Sequence, residues 1–541
     1  MGKLTEPRYR DKYTKSSQNQ FLGLNMRKGA RDGEIADMVN MSSREFPLLC
    51  VRAKRRLCAT LEKPNGLFGW NGLVWVDGTK FYFNGVEKGT VTDSVKSFAG
   101  IGAYIVIMPD KKYYNTETDS FGSMESEWSG TELTFTNGTL YGEAAERNAL
   151  KHTGTDWSEY FREGDAVTVS GCTVHPENNK SVIIREISGD TMNFYENVFV
   201  LDGEEQSTEY GESGTIKVSR SVPELDWMCE NENRLWGCKG NTIYASKLGD
   251  IFNFGVYDGI DTDSYTVETG SVGEFTGCVS YAGYPTFFKD ENIYKVYGSI
   301  PSNFEVASSV KLGMESGNGG SLATAGETLF FLSRAGFAAY TGGIPTLIHD
   351  AFGENMPQEA TAGSDGVRYY VSCRMPDGAW RLFVYDTRYG VWDAEDNTHA
   401  VCFAYYGGEL YFLSDDGKIW LTEDKGRTHP GSTEENSVSW SVEFADFTAG
   451  ETNKKSAGKL QLRIELEQGS EARAYIRYDS SGTWTEIYPI LTGTTKKSFI
   501  LPVIPKRCDH YRIKLTGSGE GRIYALTRSF YVGSEHQSRE D

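Results

Sequence analysis

Apolar and aromatic residues along the chain come in short runs separated by polar or glycine-rich turns. In several places one such run meets a turn of Asp, Gly, Asn or Lys and a second aromatic run follows, which is the pattern of a β-hairpin. These stretches are residues 73–85, 234–246, 285–298, 328–343, 380–394 and 409–424. Helical periodicity is nearly absent, and we predict a single helix at residues 142–152.

The hairpins form a degenerate repeat. Outside one long gap they start roughly every 30 to 50 residues, which is the period of four-stranded propeller blades. Such blades bury their aromatic faces against one another, so the repeat predicts a β-propeller of six or seven blades. We place an N-terminal arm and first strands at residues 1–65, and the propeller at residues 66–127 and 221–430.

The gap between the first two hairpins has a more polar texture and predicts a different domain. Its middle part alternates inward and outward positions over three strands, which indicates a meander. The inward residues are Val167, Val169, Ile183, Ile187, Met192 and Phe194. We therefore predict a small β-barrel or sandwich at residues 128–220, inserted through a propeller loop, where long insertions cost little.

Beyond residue 430 the strands are well spaced and several alternate strictly. This pattern favours an antiparallel β-sandwich over another blade. We assign the sandwich to residues 431–534 and a frayed tail to residues 535–541. The predicted fold class is thus all-β: a β-propeller with an inserted small β domain and a C-terminal antiparallel β-sandwich.

Charge and composition argue against several classes of function. The formal net charge of −20, from 75 acidic and 55 basic residues, opposes attraction to a phosphate backbone and argues against a nucleic-acid reader. The first residues are polar and charged, which is atypical of a secretory signal, and no window resembles a membrane helix. We expect a soluble protein made in a cytoplasm. The nine scattered cysteines are predicted to be buried free thiols, not a disulfide framework.

Three stretches resemble one family. Residues 23–56 are similar to the opening of phage tail and head-completion propellers, and residues 233–254 are similar to a blade of such proteins. The C-terminal stretches 476–487 and 501–535 resemble sandwich domains of phage tail components. The resemblance is to tail nozzle or tail-stabilisation proteins of short-tailed phages, and it carries over no functional residue.

This resemblance implies a structural virion protein of a phage tail. Such a protein would form a homo-oligomeric ring, for example a hexamer, around the DNA channel, and would dock other tail or head-to-tail connector proteins and tail fibres. The genome would pass nearby without sequence-specific binding, which suits the acidic balance of the chain. The expected location is the virion tail after synthesis in the bacterial host cytoplasm, with no membrane insertion.

Candidate chemistry is sparse. Residues 420–429 are similar to the Asp-box turn of sialidase-type propellers, with Thr422, Asp424, Gly426 and Thr428 fitting the pattern and His429 in place of the closing aromatic residue. Because Asp and Gly are ordinary hairpin residues, we interpret this stretch as a turn.

Two further groups have the residue types of a ligand site. Several arginines lie in successive strands and would suit an acidic sugar: Arg334, Arg368, Arg374, Arg381 and Arg388. The acidic loop with Asp258, Asp261 and Asp263 departs from calcium-loop spacing. We interpret the arginines as solvated or interblade residues and the loop as a solvated turn.

The seven histidines, at positions 152, 175, 349, 399, 429, 510 and 536, never occur in pairs at zinc-ligand spacing. Neither a nucleophile elbow nor a phosphate-binding loop is present in the sequence. We predict no catalytic residue, metal or cofactor, and a protein that is not an enzyme. The alternative is a carbohydrate-binding or glycoside-cleaving propeller acting at the host surface, which the partial Asp box and the aromatic content would suit.

Overall fold

The computed structural model describes residues 12–29, 31, 34–140, 143–195, 199–201, 209–212, 214–448, 450, 454–504 and 506–532. Within these ranges the chain has 47 β-strands. Its short 3₁₀-helices there are Trp157–Glu159, Pro176–Asn178, Pro301–Asn303, Gly319–Ser321 and Asp350–Phe352. The chain divides into two compact units, Met1–Leu67 with Gly317–Asp541, and Phe68–Ser316.

Five strands precede the first blade in sequence, and each belongs to a sheet formed with strands from later in the first unit. They are β1 (Lys12–Gln18), β2 (Ile35–Val39), β3 (Met41–Ser42), β4 (Leu49–Val51) and β5 (Arg56–Thr60).

The first two blades are four-stranded antiparallel sheets in which each strand pairs with the next in sequence. One blade has β6 (Pro64–Gly69), β7 (Leu73–Asp77), β8 (Lys80–Phe83) and β9 (Val86–Thr90). The next has β10 (Ser97–Ile101), β11 (Tyr104–Met108), β12 (Lys112–Asn115) and β13 (Ser120–Ser123). Their shared core contains Val74, Phe81, Ile105 and Tyr114, so their aromatic faces are buried against each other.

Between the second and third blades the chain forms a separate eight-stranded sheet. Its strands are β14 (Ser126–Gly130), β15 (Leu133–Leu140), β16 (Glu143–Lys151), β17 (Ala166–Ser170), β18 (Ser181–Ser188), β19 (Thr191–Phe194), β20 (Glu209–Glu212) and β21 (Ile216–Arg220). The order is β14-β21-β17-β18-β19-β16-β15-β20. The predicted meander is confirmed as β17–β18–β19. Five of the six side chains predicted to point inward belong to or pack against one core around Trp157, but Ile183 does not, and its neighbours Val182 and Ile184 lie there instead.

The predicted helix at residues 142–152 is wrong, because residues 143–151 of this stretch form strand β16. It pairs with β15 through Leu150↔Phe135 and with β19 through Leu150↔Met192. Leu150 is fully buried in the core of the inserted sheet. Helix propensities differ by only about 0.7 kcal/mol per ordinary residue. Pairing on both sides and burial of Leu150 outweigh that preference.

Two more blades follow in the second unit. They comprise β22 (Trp227–Asn231), β23 (Arg234–Lys239), β24 (Thr242–Ala245) and β25 (Tyr265–Glu268), then β26 (Gly277–Tyr281), β27 (Tyr284–Phe288), β28 (Asn292–Tyr297) and β29 (Glu305–Val310). Trp236, Ile243, Phe287 and Tyr294 belong to one core cluster between these blades.

Three blades lie in the first unit. They comprise β30 (Ala323–Ala325), β31 (Thr328–Ser333), β32 (Gly336–Tyr340) and β33 (Thr346–Leu347), then β34 (Glu359–Ser364), β35 (Arg368–Arg374), β36 (Trp380–Asp386) and β37 (Val391–Ala394). The last has β38 (Ala400–Tyr406), β39 (Glu409–Ser414) and β40 (Lys418–Leu421), with β5 as its fourth strand and β41 (Thr433–Glu434) paired to β5. A strand from the beginning of the chain thus completes the final blade.

The C-terminal strands are β42 (Ser439–Phe444), β43 (Lys455–Tyr478), β44 (Thr485–Leu501), β45 (Arg507–Cys508), β46 (Tyr511–Ser518) and β47 (Gly521–Val532). They form a ten-stranded sheet with order β2-β42-β46-β43-β47-β4-β3, while β1 pairs with β47, and β44 and β45 pair with β43. Strand β43 pairs first with β47 and then with β46. The sheet therefore contains strands from residues 12–51, which lie outside the range 431–534 predicted for the C-terminal sandwich.

The chain is all-β and has a seven-bladed β-propeller arrangement, which confirms the predicted fold class. Each of the six hairpins proposed from sequence is a pair of adjacent strands in a blade. The division into domains at residues 65, 127, 220, 430 and 534 stays a prediction. The cysteines are free thiols, as predicted, with Cys58, Cys229 and Cys402 half-buried and the other six buried.

Candidate functional site

The Asp-box residues form a tight turn directly after strand β40. The side chain of Asp424 accepts a hydrogen bond from the backbone N–H of Gly426 at 2.7 Å. Thr422 Oγ1 donates to the carbonyl of Leu410 at 3.0 Å. Both side chains therefore satisfy backbone groups of the hairpin, which is what a structural turn requires.

Glu409, the first residue of β39, lies beneath this turn with its side chain fully buried. Its Oε2 accepts a hydrogen bond from the Tyr411 hydroxyl at 3.1 Å, and its Oε1 accepts one from the backbone N–H of Lys425 at 3.3 Å. His429 Nε2 lies 3.2 Å from the same Oε1. Burial and the adjacent Glu409 carboxylate raise the pKa of Tyr411. The buried carboxylate is thus well hydrogen-bonded.

Two guanidinium groups face the carboxylates of this cluster. Arg56 Nε, on β5, donates to Asp424 Oδ2 at 2.6 Å, and Arg427 Nη1 lies 3.9 Å from Glu409 Oε2. The hydrogen bond from Gly426 and the contact with Arg56 hold the pKa of Asp424 below its ordinary value. The turn is therefore anchored to the strand that completes the last blade.

Glu409, Asp424 and His429 also have the composition of a metal-ligand set. One ligand atom from each lies within 4.8 Å of the others, and two carboxylates with one imidazole suit a divalent transition-metal ion. A cation at this position would compete with Arg56 for Asp424. The Asp-box pattern already contains Asp424 and His429, but Glu409 was not predicted from sequence, because the hairpin β39–β40 is what brings it beside them.

Of the arginines singled out from sequence, two meet at one carboxylate. Arg368 Nε lies 3.5 Å from Asp386 Oδ2, and Arg388 Nη2 lies 2.6 Å from the same atom. Arg368 also lies 3.7 Å from Asp365 and 3.5 Å from Glu423. These guanidiniums are neutralised by acidic side chains of the protein itself.

The other arginines lie elsewhere and have their own partners. Arg374 pairs with Glu359 at 3.3 Å, and Arg381 pairs with Asp377 at 3.5 Å, in both cases with partly exposed side chains. Arg334 lies in the tight turn between β31 and β32. The five arginines are therefore not assembled into one clamp for an acidic ligand.

The acidic stretch at residues 258–268 begins as a turn and continues into strand β25. The carboxylate of Asp263 accepts a hydrogen bond from the backbone N–H of Gly259 at 2.6 Å. The buried guanidinium of Arg234 donates to the carbonyls of Asp261, at 2.7 Å, and Asp263. A cation already binds these carbonyls, which favours the structural interpretation over a calcium loop.

The histidines outside the Asp-box turn mostly pack on aromatic rings. His349 is buried and stacks on Phe352 with ring centroids 5.2 Å apart, and burial lowers its pKa. His399 stacks on Trp380 at 3.6 Å. His536 lies outside the described residues. These contacts are those of structural histidines.

A buried ion-pair cluster that was not found from sequence joins the N-terminal segment to the last two blades. Arg55 donates to Glu395 at 2.6 Å and to Asp396 at 2.9 Å, while Arg52 pairs with Glu435 at 2.8 Å. The two arginine side chains are only 4% and 6% exposed. Burial opposes ionisation of Asp396, but Arg55, Thr398 and Arg52 together outweigh burial and lower the pKa of that carboxyl. The signal in the sequence is the basic run at residues 52–56 of an acidic chain.

The described residues contain no helix with the length and apolar character of a membrane span. No protein-family model matches the sequence, and no curated protein matches it.

Solved structures with similar folds are propellers of several kinds. They include BamB from Moraxella catarrhalis, with a TM-score of 0.34, 10% identity, and coverage of 70% of this chain and 99% of that chain. The WD40 repeats of RRP9 give a TM-score of 0.35, 5% identity, and coverage of 69% and 98%. An exo-β-1,3-galactanase from Phanerochaete chrysosporium gives 0.21, 8%, and coverage of 56% and 94%. At TM-scores this low, we base no conclusion on these similarities.

Proposed function

We propose that this β-propeller protein is a structural component of a phage tail, of the nozzle or hub type. It acts by assembly and not by catalysis. Copies of the chain form a ring around the DNA channel and dock neighbouring tail or connector proteins. The proposal combines the family resemblance of the sequence with one observation on the blades of the second unit.

That observation concerns valines at the ends of three blades. Val95 lies between β9 and β10, Val272 lies between β25 and β26, and Val310 is the last residue of β29. Their exposed fractions are 78%, 95% and 86%. All three follow, or end, the fourth strand of a blade. Single exposed apolar residues are common on protein surfaces, but these three recur at one topological position.

Polar contacts show that loops of this kind from adjacent blades lie together. Lys289 Nζ, after β27, donates to Asn241 Oδ1 at 2.9 Å, in the loop between β23 and β24, and to the carbonyl of Ser271 at 3.0 Å. Ser271 immediately precedes Val272. Antiparallel blades turn at the same edge after their second and fourth strands, so the exposed valines lie at the corresponding edge of their blades, where a partner can cover them.

Such a surface gains stability when another subunit covers it. Complete burial of one Val side chain is worth about 1.5–3 kcal/mol relative to exposure. A contact made by several such side chains supports assembly, whereas a propeller that works alone gains nothing from leaving them in water. The loop edge of the second unit is therefore our candidate subunit contact.

The test compares Val272→Asp with Ala282→Asp by sedimentation velocity of the purified protein over a range of concentrations. Both positions are exposed and flank strand β26, but at its opposite ends. We expect Val272→Asp to weaken self-association at least about tenfold, since burying a carboxylate in an apolar contact is costly. Ala282→Asp should associate like the wild type. Equal association of all three proteins would contradict the proposed contact, and a wild type that stays monomeric would contradict the assembly function.

A further inference from the structure

Strand pairing places two cationic residues on an inward face of the ten-stranded sheet. In β47, Leu526, Arg528 and Phe530 lie on one face of the strand and are buried. Arg528 lies directly opposite Ser16 of β1, and Phe530 lies opposite Thr14. Because side chains of paired residues lie on the same side of a sheet, these four residues share one face.

Lys455, at the start of β43, lies on the same pocket and is 1% exposed, while Arg528 is 3% exposed. Lys455 Nζ donates to the backbone carbonyl of Asp509. Arg528 Nη2 donates to Ser16 Oγ at 3.5 Å, and its guanidinium stacks on Phe447 at 3.4 Å from the ring centroid. Two basic side chains are thus held at positions that the strand pattern otherwise fills with apolar residues.

Buried charges are costly unless an opposite charge compensates them. Among the described residues, Lys455 makes no ion pair with a carboxylate. The carboxylate of the adjacent Asp509 is 57% exposed and lies 3.0 Å from His510 Nδ1. The pocket therefore combines buried positive charge with hydroxyl donors.

The two basic side chains, Thr14 and Ser16 line a cavity of about 140 Å³ together with Phe447, Tyr511 and Phe530. A single water molecule needs about 10–15 Å³ of such space, so the cavity has room for a polyatomic anion. We propose that this pocket binds a small tetrahedral oxyanion of phosphate size. Arg528 and Lys455 supply the charge, and the hydroxyls of Ser16 and Thr14 supply hydrogen bonds.

The experiment is isothermal titration of the full chain with inorganic phosphate at constant ionic strength, with chloride as the reference anion. We expect a saturable signal for phosphate that chloride does not reproduce. Sulfate should compete with phosphate, because its shape and charge are similar, whereas acetate should compete weakly. An absent phosphate signal, or an equal signal with chloride, would overturn the proposal.

Variants then locate the binding. Arg528→Met should weaken phosphate binding at least about tenfold, because a charge-assisted hydrogen bond is lost. Since this variant could also perturb folding, Ser16→Ala provides a milder change and should weaken binding about threefold or more. The matched control is Ser17→Ala, because Ser17 lies on the outward face of the same strand and bonds to Thr527. If Ser16→Ala bound phosphate as tightly as the Ser17→Ala control and the wild type, the anion would lie elsewhere and the proposal would fail.

Discussion

Asp393 is a buried carboxyl whose ionisation should make the stability of the protein depend on pH. It lies in β37, is 2% exposed, and accepts hydrogen bonds from the backbone N–H and the hydroxyl of Ser43, both at 2.7 Å. Only Oδ2 receives these bonds, and Oδ1 is buried with no hydrogen-bond partner among the described residues. Burial dominates and raises the pKa of Asp393 from 3.8 to about 7.

Proton binding determines whether the free energy of unfolding rises or falls with pH. Between pH 4 and pH 7 the folded protein holds a proton on Asp393 that the unfolded chain has released, so rising pH favours unfolding. One pKa unit corresponds to about 1.36 kcal/mol. The shift of Asp393 therefore lowers the free energy of unfolding by about 2.5 kcal/mol between pH 5 and pH 8, and little further loss is expected at higher pH.

The assay compares urea unfolding of the wild type and Asp393→Asn at pH 5 and pH 8. An Asn side chain can keep the bonds from Ser43 and does not titrate. We expect the wild type to lose about 2–3 kcal/mol more than the variant over this range. Asp377→Asn, at a 57% exposed carboxylate, is the control and should follow the wild type. Identical pH dependence of the wild type and Asp393→Asn would refute the reasoning.

Two further substitutions test buried contacts by urea unfolding. Arg55→Ala leaves the buried carboxylate of Glu395 and the half-buried carboxylate of Asp396 without their nearest guanidinium and should cost about 3–5 kcal/mol. Lys54→Ala next to it removes a half-exposed pair and should cost less than about 1 kcal/mol. Gly237→Ala would place a Cβ 2.9 Å from the carbonyl of Trp227 and should destabilise by about 1–3 kcal/mol, whereas Gly255→Ala has open space and should be nearly neutral. Equal costs within either pair would contradict these assignments.

The blades could be predicted from sequence because each hairpin is encoded locally. The strand, turn and strand of β39–β40, for example, lie within residues 409–421, and their apolar pattern and turn residues agree. The hairpin β11–β12 was not singled out, although it forms the centre of a blade.

Contacts between distant parts of the chain could not be predicted. Strand β5 completes a blade whose other strands begin more than 300 residues later, and β1 pairs with β47 at the opposite end of the chain. Local patterns give no register for such pairings. The same limit applies to Leu150, where local helix propensity was overruled by two neighbouring strands.

The candidate sites could not be predicted from sequence for the same reason. The turn at Asp424 and Gly426 was evident from residue types, but its anchoring by Arg56 depends on β5 pairing with β40. The pocket around Arg528 and Lys455 combines residues from distant parts of the chain, Thr14 and Ser16 on one side and residues 447–530 on the other. A charged residue at an inward strand position is a visible signal only when the face of the strand is already known.

The most direct test of the central claim is negative-stain electron microscopy of the purified protein, alone and mixed with particles that lack the tail. The proposed function predicts closed rings of the protein, or new density at the tail or neck of the particles. Single propeller-sized particles at all concentrations, with no density added to the virions, would contradict it and would favour the carbohydrate-binding alternative.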